Sequence, residues 1–171
     1  ANDGADESNT TRQNQLTAAS KLQDSVVNLL KNGNFESNDG WDVNVFWGDA
    51  MGSSGFSTSE KVMGSRSLYI TRTGTSSVYR LQQYRTGEFT LQAGKTYTLS
   101  GYIKTTGMTG EGEGAMLIIE NQTGPAEWNQ GRTAPINTNT DWVRLETSIT
   151  IPDNPYSTDI GVFCQSRALG T

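Results

Sequence analysis

"KTYTLSGYIKTT", residues 95–106, alternates without a break. Tyr97, Leu99, Gly101 and Ile103 fall on one side, and Thr98, Ser100, Tyr102 and Lys104 on the other. Successive side chains of a strand point to opposite faces, so a period of two over this length predicts a half-buried β-strand. "DWVRLETSITIP" (141–152) repeats the pattern, with Val143, Leu145, Thr147, Ile149 and Ile151 opposite Trp142, Arg144, Glu146, Ser148 and Thr150. "GAMLIIEN" (114–121) is apolar on both faces, as a central strand is.

Working outward, the same reading gives strands in "WDVNVFW" (41–47), "SRSLYITRT" (65–73), "SSVYRLQQYR" (76–85), "EFTLQ" (88–92) and "DIGVFCQSR" (159–167). The first strand is expected at "SVVNLL" (25–30), before the turn at "KNGN". Glycine-bearing turns such as "RTGTS", "LQAGK" and "NQTGP" separate several of them. The spans 48–60 and 122–140 read as long loops, where binding residues tend to sit. Eight or more short strands with no helices between them predict an all-β, two-sheet antiparallel sandwich over 26–171. Residues 1–25 read as a flexible or partly helical arm: 1–12 are polar and acidic, while Leu16, Ala19, Leu22, Val26 and Leu30 have the spacing of a short helix over 13–25, with an extended lead-in to the strand at "SVVNLL" as the alternative.

Composition narrows the function. The 171 residues carry a formal net charge of −5 with no basic run, which excludes a duplex-binding surface and argues against nucleic acid as partner. No stretch of about 18 apolar residues is present to span a membrane. His is absent, which removes the commonest general base and the commonest zinc ligand. The one cysteine, Cys164, reads as a buried, inert thiol in a strand. No nucleophile-elbow, P-loop or metalloprotease motif occurs. Glu120 with Glu127 or Asp141 is conceivable as a glycosidase pair, but nothing in their spacing selects them from 18 acidic residues, so catalysis is not expected.

"NLLKNGNFESNDGW" (28–41) crowds turn residues around one aromatic and one carboxylate. Gly33 is read as supplying the unusual backbone angles, Phe35 as a core anchor and Trp41 as a lid over the sandwich end. Together with "GSRSLYI", "LQAGKTYTLSGYIKT" and "DWVRLETSITIP", this stretch resembles the jelly-roll carbohydrate-binding modules attached to bacterial xylanases and endoglucanases. The resemblance covers about 28–171 and implies a galactose-binding-like jelly roll. The wording of "ASKLQDSVVNLLKNGNFE" is also similar to modules embedded in Rhs/YD-repeat, wall-associated proteins of Gram-positive bacteria. That implies an extracellular or cell-wall location, a polysaccharide or cell-surface glycan as partner, and a monomeric module. The family closes on a G-x-hydrophobic-x-F-D-D strand, and "GT" at 170–171 matches its start, so the last strand and one carboxylate are expected to be missing. The resemblance implies a structural calcium ion held by Glu36, Glu60 and the carbonyls about Met63–Ser65, Ser65 included.

A sugar presents hydroxyls at its rim and C–H groups on its faces, so a site needs an aromatic plate beside planar polar side chains. Tyr102, Lys104, Arg80, Gln82 and Tyr84 are expected on one sheet face, with Trp128 or Trp47 at its rim and Glu120 at the end of the central strand. Trp41, Trp142 and Tyr97 read as packing residues, Trp47 as either core or ligand plate, and Trp128 as exposed. The two functions in view are non-catalytic carbohydrate binding and a structural spacer or adhesion module without sugar binding.

Overall fold

The computed structural model describes residues 14, 28–47, 52–74, 78–85, 91–110, 112–157, 160–167 and 169–171. The chain divides into two units, Ala1–Lys31 and Asn32–Thr171. The arm expected over 1–25 lies outside the described residues except for Asn14. In the first unit Asn28–Leu30 is not a strand; the Leu30 N–H instead donates to Asn28 Oδ1 at 3.1 Å.

The second unit is all-β among its described residues. Its strands are β1 (Asp42–Trp47), β2 (Gly52–Ser57), β3 (Ser67–Arg72), β4 (Val78–Arg85), β5 (Thr96–Thr105), β6 (Met116–Gly124), β7 (Glu127–Arg132), β8 (Thr140–Thr150) and β9 (Ile160–Ser166). A five-stranded sheet has the order β1-β4-β9-β6-β7, and β2-β3 and β5-β8 form two further pairs. Every pairing is antiparallel.

Both pairs lie on the same face of the five-stranded sheet. Leu81 of β4 and Ile70 of β3 are buried together, with Val43, Leu68 and half-buried Cys164 against them. Gly101 of β5 sits over Leu117 of β6 so closely that a Cβ there would meet Leu117 Cδ1 at 3.4 Å. Gly131 of β7 lies under β8, where a Cβ would come within 2.4 Å of the Ser148 carbonyl oxygen. That contact is why this position carries no side chain. The result is the predicted two-layer sandwich, with one layer formed by two separate pairs.

Two expected loops contain strands. The span 48–60 holds β2, and 122–140 holds the end of β6 and all of β7. Neither "GSSGFS" nor "EWNQGR" has an apolar stripe: the positions of β2 that share a face with the core residues Leu68 and Ile70 are Gly52, Ser54 and Phe56, with one bulky side chain among them, and Gly131 of β7 lies under β8. The expected strand 88–92 falls mainly on residues outside those described; of the rest, Leu91 is buried and Gln92 leads into the turn before β5.

The turn after Lys31 also departs from expectation. Its left-handed residues are Asn32 (φ 50°) and Phe35 (φ 63°), not Gly33. Asn tolerates this region because its short side chain bonds locally. Here Asn32 Nδ2 donates to the carbonyls of Ser37 (2.8 Å) and Asp39 (3.0 Å), and Oδ1 accepts from the Ser37 N–H (3.1 Å). The Asn32 carbonyl accepts from Trp41 Nε1 at 3.0 Å. Trp41 meets Phe35 edge-on with ring centroids 5.2 Å apart. One asparagine therefore organises the 32–41 loop, and Phe35 packs on Trp41 as a half-buried pair.

Candidate functional site

The sandwich has two outer faces, and the predicted ligand residues divide between them. Tyr102 and Lys104 point away from the core on β5, opposite Leu99 and Ile103, in the β5-β8 pair. Arg80 and Gln82 lie on β4, on the outer face of the five-stranded sheet, in register with Gln165 and Phe163 of β9. The expectation that all of these share one face is therefore corrected. Strand alternation assigns each residue a side of its own strand but does not say which sheet the strand joins.

Tyr102 is exposed beside Arg144, its cross-strand neighbour. Lys104 Nζ donates to Glu60 at 2.8 Å, and that hydrogen bond raises the lysine pKa. Around them lies a surface of ordinary polar pairs, with Arg144 joined to Glu146 at 2.7 Å.

The outer face of the five-stranded sheet has different chemistry. Along the register, Gln82 stands opposite Phe163, Arg80 opposite Gln165, Met116 opposite Gln165, Ile118 opposite Phe163 and Arg132, and Glu120 opposite Gln130. Trp128 faces Gln122. Tyr84 occupies the position opposite Gly161, and Trp47 the position opposite Val78. Six of the eight predicted ligand residues thus belong to this sheet.

The middle of this face is buried. Met116, Ile118 and Phe163 form an apolar cluster, and the Arg80 guanidinium stacks 4.4 Å over the Phe163 ring. Arg80 Nε donates to Gln165 Oε1 at 2.6 Å. Two buried amide atoms, Gln82 Oε1 and Gln165 Nε2, have no hydrogen-bond partner. Such groups are costly to leave unpaired and mark places where a polar ligand or water adds stability.

The β7 end is open. Trp128 is 46% exposed. Arg132 donates to Gln130 Oε1 through Nε (3.1 Å) and Nη2 (2.8 Å), and Gln130 Nε2 donates to Glu120. Arg132 also lies 3.8 Å from Glu113, which pairs with Arg167 at 3.6 Å. A planar, mutually bonded row of guanidinium, amide and carboxylate beside an exposed indole is the combination that sugar rims and faces require. Gln130, Arg132 and Gln165 were not legible as site residues. The alternation of Trp128, Gln130 and Arg132 was the available signal, obscured because 122–140 reads as loop.

Of the predicted metal ligands, Glu36 and Ser65 come together and Glu60 does not join them. The Glu36 carboxylate accepts from the Ser65 N–H at 2.7 Å and from Ser65 Oγ. These two bonds hold its pKa below the ordinary carboxylate value. Gly64 is required beside it, with φ 71° and the Glu36 Oε1 where a Cβ would stand. Arg66 bonds the Phe35 carbonyl at 2.5 Å and Asn38 Oδ1 at 2.8 Å, fastening the same two loops. Glu60 turns to Lys104 instead. Among the described residues no three His, Cys, Asp or Glu side chains gather in a metal-binding cluster. Cys164 packs against the core, and burial pushes its thiol up to about 12.

Comparison with known proteins agrees with the architecture. The enzymatically active domain of bacteriophage CBA120 tailspike protein 4 superposes with a TM-score of 0.55 at 15% identity, over 84% of this chain and 20% of that one. A structure describing the promiscuous specificity of carbohydrate-binding modules from the β-sandwich superfamily superposes with a TM-score of 0.52 at 19% identity, over 84% of this chain and 56% of that one. At these identities the likeness is one of fold. No curated protein matches the sequence. Residues 27–168 match the family model described as a carbohydrate binding domain. With that match spanning most of its length, the chain belongs to the carbohydrate-binding domain family.

Proposed function

We propose that this domain binds a polysaccharide or cell-surface glycan without chemical turnover, at the β7 end of the outer face of its five-stranded sheet. The observation that carries the proposal is the exposed Trp128 beside the bonded row Glu120, Gln130 and Arg132. The indole offers a plate for a sugar face, and the row offers donors and acceptors already fixed in position. The burial of Phe163 and Gln165 favours a short site at this end over a long open cleft. Tyr102 and Lys104, on the opposite layer, are outside the proposed site.

The resemblance to modules of wall-associated proteins supports a setting outside a Gram-positive cell, with the domain acting as one monomeric module of a larger surface protein. A calcium ion is part of the same proposal. Glu36, kept ionised by Ser65, would hold it with Ser65 Oγ and nearby carbonyls, and its role would be to fasten the loops about residues 36 and 65.

A glycan array followed by calorimetry tests the site. Trp128→Ala should weaken the selected glycan by about 2 kcal/mol, the range of an aromatic hot spot, or roughly thirtyfold in Kd. Tyr102→Ala should leave affinity unchanged. Loss of binding in Tyr102→Ala but not in Trp128→Ala would move the site to the other layer. Absence of binding to any plant or bacterial wall glycan would favour the spacer function.

A further inference from the structure

The outward residues of β7 end in a cation. Trp128, Gln130 and Arg132 alternate along the strand, so they share its outer face. Four residues of strand put about 13 Å between the first and the last. Glu127 alternates to the opposite side, and the buried Glu120 carboxylate is taken by Gln130. Beyond Arg132, two arginines share the carboxylate of Glu113. Arg132 Nη1 lies 3.8 Å from Glu113 Oε1, and Arg167 Nε lies 3.6 Å from Glu113 Oε2. Each oxygen thus faces one guanidinium, farther off than the roughly 2.7–3.2 Å of an N–H···O hydrogen bond.

The two arginines are held in place but remain accessible. The Arg167 N–H, just past the end of β9, donates to the Glu113 carbonyl at 2.9 Å. Two bonds to Gln130 Oε1 keep Arg132 in the row. The side chains of Arg132 and Arg167 are 43% and 49% exposed. Among the described residues, Arg167 Nη1 and Nη2 have no protein partner. A guanidinium stays charged at every physiological pH. Two positive charges on one carboxylate therefore leave one positive charge uncompensated among the described residues, on a chain whose formal net charge is −5.

We infer that the glycan bound at Trp128 is acidic, and carries a hexuronic acid whose carboxylate completes the charge balance at Arg132 and Arg167; this rests on the sugar site proposed above. The span of about 13 Å along β7 exceeds one pyranose ring, so the acid belongs to a unit further along the glycan than the one on the indole. A carboxylate suits the pair because the guanidinium fork matches its two planar oxygens, and Glu113 already presents such a group to both arginines. Both arginines face water, so each contact contributes about three- to fivefold in affinity, not orders of magnitude.

The test uses the 171-residue chain and a panel of uronic-acid oligosaccharides, each paired with its carboxyl-reduced counterpart, titrated by calorimetry at low salt. The best acidic ligand should bind about tenfold more tightly than its reduced counterpart, and the gap should close as salt rises. Arg167→Gln should weaken the acidic form about three- to fivefold and the reduced form by less than about twofold. Arg167→Lys keeps the charge and should recover part of the loss. Trp128→Ala should weaken both forms alike. Equal affinity for the two forms, or an Arg167→Gln loss as large on the reduced form, overturns the inference. Binding of neutral glycans alone, lost in Trp128→Ala, also overturns it while leaving the sugar site in place; no binding to any glycan removes both. Competition by poly(glycerol phosphate) as strong as by the acidic oligosaccharide would assign the arginines to phosphate and overturn the uronic acid.

Discussion

The β5-β8 pair and the β6-β7 pair are both antiparallel and meet across the same core, yet only the first reads clearly in sequence. β5 and β8 bury one face, through Leu99, Ile103 and Ile149, and show the other to solvent, so the period of two survives intact. β6 is buried on both faces from Met116 to Asn121, so its pattern becomes a run. β7 has no bulky inward residue; Gly131 lies under β8, and its outward positions are the polar residues of the proposed site. Alternation thus reports one-sided burial, not strand formation. The strand that supplies most of the site is the one without that signature.

The largest expected effect tests whether the outer face of the five-stranded sheet is a second packed surface. Ile118 is fully buried there, beside Met116 and Phe163. Ile118→Ala should cost about 3 kcal/mol by denaturant unfolding. A loss under about 1 kcal/mol would mean that this face is loosely packed and that the contrast with β5-β8 is overstated.

Next come the two glycines. Gly131→Ala places a methyl against the Ser148 carbonyl, and should cost about 2 kcal/mol because backbone must shift. Gly101→Ala meets only the tip of Leu117 and should stay within about 1 kcal/mol of wild type. Reversal of that order in thermal melts would show that β7, not β5, is the adaptable strand.

Asn32→Ala should cost about 1–2 kcal/mol, since it removes three side-chain hydrogen bonds and leaves a left-handed residue without local support. Asn32→Gly should recover part of the loss through backbone freedom alone.

The smallest effect concerns Glu36. Its folded pKa is depressed, so its contribution is present above the ordinary carboxylate range and is lost as pH falls through the lowered folded value. Glu36→Gln should flatten the acid limb of the stability curve without moving the neutral plateau far. Melts of the wild type with millimolar calcium and with chelator address the metal at the same position: a bound native-state ion raises the midpoint, and an unchanged midpoint rejects calcium there.

How much the sequence revealed follows from the same physics. The sandwich and the inward set Leu99, Gly101 and Ile103 were readable because burial leaves a period, and the exposure of Trp128 because its neighbours in "GPAEWNQGR" are not apolar. The grouping of the ligand residues was not, because it depends on which strands become neighbours, and β4 meets β9 across about 80 intervening residues. Gly33 was assigned the strained angles on residue type, whereas Asn32 holds them through bonds to Ser37 and Asp39 that no local pattern displays.

The position of β9 has a consequence for how the domain is made. It lies between β4 and β6, in the middle of its sheet, although it follows both of them in chain order. Until Ile160–Ser166 leaves the ribosome, β4 and β6 each have an open edge and the sheet has no centre. Folding of this layer therefore waits until all of β1 to β9 has been made. In that interval "AMLIIEN" is the stretch a chaperone has most reason to cover.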